Sequence, residues 1–116
     1  MLLFKPEHVA PILAGTKTQT RRIWSSWRAN VHSTQLAKTK MLSKEHFAQL
    51  YICDRWEERL GDITEQNARA EGYDSKAEYL KKFAEINAKQ IKKLPYSLEE
   101  IPVKVLEFKV IPGGKA

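Results

Sequence analysis

Glycines and prolines divide this sequence into short segments. The spacing of apolar residues is typical of a strand in some segments and of a helix in others. Residues 2–4 are apolar and suit a short strand. Residues 6–14 begin with a proline, carry apolar side chains at helical spacing and are followed by Gly15, which favours a left-handed helix end. We therefore predict a strand and then a short helix, with Pro11 disturbing the middle of that helix.

The middle of the sequence is typical of strands. Residues 16–24 are rich in β-branched and charged side chains, and residues 47–56 are the more apolar of the later segments. These patterns predict strands over 16–24, 35–42 and 47–56, with a loop over 25–33.

Two helices and a last strand are predicted for the remainder. Thr64 is a good N-cap for a helix over 65–71. A Ser-x-x-Glu capping box at 75–78 precedes an apolar stripe, which indicates a second helix. Alternation then predicts a strand over 103–111. This order fits a single α+β domain spanning residues 1–116, a mixed β-barrel with helices packed at its ends.

The charge balance favours a polyanionic partner. The chain has 20 Lys plus Arg against 14 Asp plus Glu, a formal net charge of +6, and phosphate contacts release counterions. The alternative is that the charge serves solubility alone. Cys53 is the only cysteine, which excludes an intramolecular disulfide and a cysteine-based zinc site. We expect no metal and no cofactor.

No stretch of the sequence approaches the ~18 apolar residues of a membrane span, and the start lacks the apolar run of a signal peptide. The expectation is a cytoplasmic protein that does not enter a membrane. The sequence leaves the oligomeric state open.

Residues 14–22 gather three basic groups and three hydroxyls just after the first predicted helix. Such a cluster suits an anion or the polar edge of a base. The alternative is an ordinary exposed strand with alternating polar residues. Trp24 lies just beyond, where its ring would stack on a base or fill the barrel core.

The same segment, Ala-Gly-x-Lys-Thr-x-Thr-x-Arg over 14–22, resembles the signature of the ASCH domain family. The likeness continues through residues 60–65, 71–73 and 105–108, so it spans nearly the whole chain. It implies a PUA-like β-barrel with a cleft beside the first helix that receives RNA or a modified nucleoside. The chain departs from the family at residues 31–32, Val-His, where many members carry a glycine, and in its long third helix.

The resemblance also implies site residues. Some small family members hydrolyse the acyl amide of N4-acetylcytidine, and their implicated side chains correspond to Lys17, Thr20 and Glu71. The residues expected to bind RNA or nucleoside are Lys17, Thr18, Arg21, Arg22 and Trp24. Three functions stay open: a binding domain, which we favour, an N4-acylcytidine amidohydrolase, and a ribonuclease acting in the same cleft.

Amide hydrolysis needs a nucleophile, a proton acceptor and a proton donor for the leaving group. A buried lysine with a lowered pKa can act as the base for a threonine hydroxyl. Residues three apart on a regular strand point to opposite faces, so Lys17 and Thr20 converge only if the strand is bulged or Lys17 lies in the preceding turn. The alternative for Glu71 is a solvated carboxylate near a helix end.

Overall fold

Residues 1–113 are described by a computed structural model, in which five strands form one curled half-barrel sheet with four α-helices around it. The strands are β1 (Leu2–Leu3), β2 (Gln19–Arg22), β3 (Thr34–Lys38), β4 (Ala48–Arg59) and β5 (Pro102–Val110). The helices are α1 (Val9–Ala14), α2 (Glu65–Ala70), α3 (Lys76–Ile86) and α4 (Ala88–Ile91). Short 3-10 turns occupy Pro6–His8, Leu60–Asp62 and Leu98–Glu100.

The sheet has the strand order β1-β3-β4-β5-β2, with β1 and β3 parallel and the other pairs antiparallel. The predicted α+β fold with a mixed, barrel-like sheet is therefore confirmed. A side chain links the strands at the two ends of this order, because Nη2 of Arg22 in β2 donates to the carbonyl oxygen of Leu3 in β1 at 2.7 Å. The curl of the sheet brings these two edges within reach of one guanidinium.

Alternation along the strands divides the apolar core into two clusters. On β5, Val105 packs into the cluster beneath α2 and α3, and the next residue, Leu106, packs into the cluster that contains β1 and β3. On β4 a register shift between Ile52 and Asp54 breaks the alternation. As a result Ile52 faces one cluster and Trp56 the other, although an even spacing would put both on one face.

The first helix accommodates Pro11 because the helix begins later than its apolar pattern suggests. The stretch from Pro6 starts as a 3-10 turn, and α1 begins only at Val9. Pro11 then falls in the first turn of α1, where a missing N–H costs no helical hydrogen bond. The proline predicted to disturb the helix instead lies near its start.

Strand ends differ from the predictions where backbone groups find other partners. The strand predicted over 16–24 is only Gln19–Arg22, since the N–H groups of Lys17 and Thr18 donate to the carbonyls of Pro11 and Ala70. The strand predicted over 35–42 ends at Lys38. The strand predicted over 47–56 instead continues to Arg59.

The loop before β3 contains a backbone conformation that usually needs glycine. His32 has a φ of 69°, and it is the one non-glycine residue with a positive φ among residues 1–113. It is held by its own N–H, which donates to Ile52, and by a 2.6 Å contact between its Nδ1 and the hydroxyl of Tyr51. This is the position where the family resemblance leads one to expect a glycine.

Candidate functional site

A cavity of about 290 Å³ lies between the chain around β1, strand β2 and helix α3. Its polar lining comes from β2, from the turn before it and from the end of α2: Lys17, Thr20, Arg21, Arg22 and Glu71. Its aromatic lining comes from Phe4, Tyr73, Tyr79 and Phe83. A bound molecule would thus meet both rings and charged or hydroxyl groups.

The turn before β2 aims Lys17 into this cavity. Gly15 ends α1 in the left-handed region with a φ of 79°, and the N–H of Lys17 then donates to the carbonyl of Pro11 at 3.1 Å. Gly72 packs on the lysine from the other side with a φ of +99°, and a Cβ there would lie 3.5 Å from that of Lys17. The positive φ makes glycine the residue that fits. Lys17 therefore lies in the preceding turn, as its convergence with Thr20 requires.

Lys17 and Glu71 form an almost completely buried ion pair, with side chains 2% and 4% exposed and 2.8 Å between Nζ and Oε1. The ammonium also donates to the backbone carbonyls of Gln19 at 3.0 Å and Glu71 at 2.9 Å, so all three of its protons are used. Burial lowers the pKa of Lys17, and the adjacent Glu71 carboxylate acts in the opposite direction. The sequence alternative of a solvated Glu71 is wrong, because its side chain is buried.

Arg21 holds the second oxygen of the same carboxylate. Its Nη1 donates to Oε2 of Glu71 at 3.0 Å and to the side-chain oxygen of Gln19 at 2.9 Å, and its Nε donates to Glu58 at 3.0 Å. Glu58 is fixed in turn by the indole N–H of Trp56 at 2.8 Å. The remaining nitrogen, Nη2 of Arg21, is buried and has no hydrogen-bond partner within residues 1–113.

Arg22 and Thr20 interact directly on the same strand. Nε of Arg22 donates to the hydroxyl oxygen of Thr20 at 3.0 Å, and the guanidinium carbon lies 4.9 Å from the centre of the Phe4 ring. The Thr20 hydroxyl therefore keeps its own proton for another acceptor. Burial lowers the pKa of Arg22. In the described part of the chain, Arg22 donates to neutral oxygens and forms no ion pair.

Three further polar groups accompany the aromatic residues of the lining. The hydroxyl of Tyr79 is buried without a hydrogen-bond partner in residues 1–113, and burial raises the pKa of Tyr79 well above its ordinary value. The hydroxyl of Tyr73 lies 3.0 Å from Nε2 of His8. Burial, with a further contribution from the charge of Lys17, lowers the pKa of His8 to about 4. The imidazole is therefore neutral at physiological pH.

Of the seven site residues expected from the sequence, five line the cavity: Lys17, Thr20, Arg21, Arg22 and Glu71. The other two, Thr18 and Trp24, do not. Thr18 lines a separate hollow at the end of α1. Trp24 packs half-buried against the apolar cluster of β1 and β3, with the guanidinium of Arg28 5.7 Å from its ring centre. The alternative of an exposed strand over 14–22 is wrong for its second half, because Gln19, Thr20 and Arg21 are buried.

Sequence reasoning missed Tyr73, Tyr79 and His8 as parts of the site. Tyr79 belongs to the apolar stripe that follows the capping box, and its ring packs in the core. The available signal was the choice of tyrosine over phenylalanine at a buried position, since a buried hydroxyl needs a partner. His8 gave no signal, because its site is completed by residues far along the chain.

Two further searches cover residues 1–113 only. Within them, no three or more His, Cys, Asp or Glu side chains gather as a metal ion would require. No helix in that part of the chain has the length and apolar character needed to cross a membrane.

Comparison with known structures identifies the fold. The structure is similar to an ASCH domain from Lactobacillus crispatus, with a TM-score of 0.72, 14% identity, and coverage of 88% of this chain and 69% of that one. A mutant of the protein ZmASCH from Zymomonas mobilis gives 0.63 at 12% identity, covering 93% and 66%. A DUF984 protein from Enterococcus faecalis gives 0.70 at 11% identity, covering 90% and 67%.

These likenesses show that the chain has the ASCH-domain fold, as the sequence motifs predicted. The chain spans about two thirds of the length of each of these structures. No protein-family model matches the sequence. No curated protein is significantly similar to it.

Proposed function

We propose that the cavity binds one nucleoside, either free or as an unstacked residue of a single RNA strand. The observation that carries this proposal is that one cavity is lined by both aromatic rings and polar side chains. A nucleobase matches both, with π-faces that stack on aromatic rings and edges that form hydrogen bonds. A cytoplasmic location, where RNA and nucleosides occur, is part of this proposal.

The size of the cavity supports a single nucleoside. Its volume of about 290 Å³ lies just below the roughly 300–1,000 Å³ typical of small-molecule sites. An RNA strand would therefore insert one base and leave its neighbours on the surface, which is a common mode of single-strand recognition.

The charge distribution supports a sugar–phosphate group near Arg22. The charges of Lys17 and Arg21 are balanced by carboxylates, whereas Arg22 donates to neutral oxygens only, within residues 1–113. Its positive charge is thus available to a phosphate. The net charge of +6 extends the same preference over the surface.

The test is isothermal titration calorimetry with cytidine, cytidine 5′-monophosphate and a short single-stranded RNA as separate ligands. We expect RNA affinity to fall with salt, with a slope of log K near −0.7 for each phosphate contact. Arg22→Gln should weaken the monophosphate more than cytidine. Arg59→Gln is the matched control, because Arg59 is 67% exposed and pairs with Asp62. Absence of binding by all three ligands would overturn the proposal.

A second function, hydrolysis of the acyl amide of an N4-acylcytidine, is favoured by the buried Lys17–Glu71 pair in the same cavity as the Thr20 hydroxyl. Thr20 Oγ1 would bond to the acyl carbon and pass its proton to the neutral amine of Lys17. The amide carbon–nitrogen bond would then break as the leaving amino group takes that proton, which leaves an acyl ester on Thr20. Water would hydrolyse this ester, releasing the carboxylic acid and restoring the Thr20 hydroxyl. Burial supports this role because it lowers the pKa of Lys17.

Incubation with N4-acetylcytidine tests the second function. If it holds, Thr20→Val should abolish release of cytidine, because valine keeps the shape and removes the nucleophile. Thr18→Val is the matched control, since Thr18 lies outside the cavity, and it should retain turnover. Wild-type protein that binds N4-acetylcytidine without releasing cytidine would leave binding as the function of the site.

A further inference from the structure

We infer that Nη2 of Arg21 and the hydroxyl of Tyr79 together receive a ring carbonyl oxygen of the bound base, so that these two residues determine base specificity. The inference rests on the proposed nucleoside site and adds to it the class of base selected. Cytosine, uracil and guanine carry a ring carbonyl, whereas adenine does not. The cavity should therefore prefer the first three bases over adenine.

Arg21 presents a fixed and unused donor. Its side chain is fully buried, and Nε and Nη1 are held by Glu58, Glu71 and Gln19. These bonds fix the plane of the guanidinium and hence the direction of Nη2. Nη2 is buried without a partner within residues 1–113, and Arg21 is one of the residues that line the cavity. A guanidinium nitrogen donates and cannot accept, so the atom that satisfies it must be an acceptor.

Tyr79 presents a second unused group in the same cavity. Its ring is 3% exposed and contacts the rings of Tyr73 and Phe83, with centroids 5.5 and 5.9 Å away. Its hydroxyl has no hydrogen-bond partner in the described part of the chain. Burial raises the pKa of Tyr79 well above its ordinary value, so the hydroxyl keeps its proton and can donate it.

Two unused buried groups in one cavity are unusual. Roughly 90% or more of buried polar groups in proteins have a partner. Arg21 Nη2 and Tyr79 OH are the buried side-chain atoms without one among residues 1–113, and both residues line the same cavity. Unpaired polar groups on residues that line one binding pocket are candidates for bonds to a ligand.

The charges around Arg21 indicate a neutral acceptor. Lys17 and Arg21 contribute two positive charges, and Glu58 and Glu71 contribute two negative charges, all joined by ion pairs. The group is balanced, so a carboxylate or phosphate placed there would add an uncompensated negative charge. A carbonyl oxygen supplies lone pairs without a full charge. This distinguishes the Arg21 position from Arg22, which suits the phosphate.

The ligand-side test compares cytidine with 2-thiocytidine and adenosine on wild-type protein. Sulfur replaces the ring oxygen in 2-thiocytidine and accepts hydrogen bonds weakly. We expect the Kd to rise about tenfold from cytidine to 2-thiocytidine, as loss of one or two hydrogen bonds implies. Adenosine should bind at least as weakly as 2-thiocytidine.

The protein-side test repeats the titrations with Tyr79→Phe. We expect this variant to bind cytidine about tenfold more weakly while its Tm stays equal to that of wild type or rises, because the lost hydroxyl has no partner among residues 1–113. The penalty for sulfur should also shrink in this variant. Tyr51→Phe is the control: its hydroxyl contacts His32 away from the cavity, and its cytidine affinity should match wild type.

The outcomes separate this inference from the function on which it rests. If wild-type protein binds no nucleoside, the proposed function fails and the inference with it. If it binds cytidine, 2-thiocytidine and adenosine equally and Tyr79→Phe changes nothing, the nucleoside site stands and the carbonyl receptor is overturned. A tenfold loss with an unchanged Tm supports the receptor. A loss of affinity that accompanies a lowered Tm shows a structural role for Tyr79 and overturns it.

Discussion

The two oxygens of the Glu71 carboxylate bind side chains that differ in how fully their hydrogen-bond donors are used. On the Oε1 side, every proton of the Lys17 ammonium has an acceptor within the protein. On the Oε2 side, one nitrogen of Arg21 has no hydrogen-bond partner within residues 1–113, and the same holds for the hydroxyl of Tyr79. Both sides are buried, so exposure to solvent does not explain the contrast.

The contrast suggests a division of roles around one carboxylate. The Lys17 side is closed, and any change there breaks existing bonds and should affect the folding of the chain. The Arg21–Tyr79 side is open to a new bond, and changes there should affect ligands more than stability. If Lys17 acts as a base, its ammonium must first lose a proton. All three of its protons are donated in hydrogen bonds, so this loss costs free energy that the mechanism must supply.

The largest expected effect is on the closed side. Glu71→Gln leaves the buried charge of Lys17 without its carboxylate, and removal of one partner from a buried ion pair costs about 3–5 kcal/mol of unfolding free energy. Urea denaturation measures this loss. Glu57→Gln is the matched control, because Glu57 is 59% exposed where it pairs with Lys104, and its loss should stay below about 1 kcal/mol.

Equal losses for the two variants would show that the Glu71 pair is not tightly bonded, and the contrast between the two sides would disappear. The stability cost also affects any turnover assay on Glu71→Gln. Such an assay must be run where the variant is folded, since loss of turnover by unfolding says nothing about a catalytic role.

A smaller effect is expected at the edge of the sheet. Arg22→Met removes the bonds to Leu3 and Thr20 while keeping apolar contact with Phe4. Hydrogen bonds from charged groups contribute about 1.5–3 kcal/mol, and we expect a loss in that range. Hydrogen exchange at the amide of Phe4, which donates to Lys38, should accelerate. Unchanged exchange there would show that β1 is held without the guanidinium.

The pH dependence of stability should reveal the neutral histidine. The pKa of His8 is lowered from 6.5 to about 4 in the folded state, so the unfolded chain binds an extra proton between these values. The unfolding free energy therefore falls as pH drops from about 6.5 towards 4. Above pH 6.5 the stabilising contribution of the neutral His8 is complete. His8→Phe should show a shallower fall in Tm over this window. Parallel curves would assign the acid loss to other groups.

The smallest expected effect is on the open side. Tyr79→Phe should change the unfolding free energy by no more than about 0.5 kcal/mol, or raise it, because an unpaired buried hydroxyl contributes no bond. Chemical denaturation of the unliganded protein measures it. A loss comparable to that of Arg22→Met would show that the hydroxyl is bonded in the free protein and that the two sides of Glu71 are alike.

The order of strands and helices could be predicted from local patterns, because the positions of glycine and proline and the spacing of apolar residues are local properties of the sequence. The N-caps at Thr64 and Ser75 illustrate this, since each side chain accepts the hydrogen bond expected of it. The first residue of β2 could not be predicted, because the N–H of Thr18 donates to the carbonyl of Ala70, fifty-two residues later in the chain. Strand ends depend on such distant partners.

The candidate site shows the same limit. Lys17, Thr20 and Glu71 were found through the family resemblance, but burial of Glu71 was not evident from its position near a helix end. Its environment is set by Lys17 and Arg21, which lie fifty or more residues away in sequence. Tyr79 belongs to the apolar stripe of α3, and that pattern accounts for its buried ring but not for its hydroxyl. Pairings between distant segments determine chemistry that a local pattern cannot show.

The strand order also determines when the site can form during synthesis. Within residues 1–113, strand β2 pairs only with β5, and Gln19 lies opposite Glu107 in that ladder. A ribosome that has released residues 1–90 has therefore exposed most groups of the cavity without the strand against which β2 must pair. Long-range pairings of this kind close late and slow folding. Until β5 emerges, the basic segment of β2 remains hydrated, and dehydration of its charges belongs to the last step of folding.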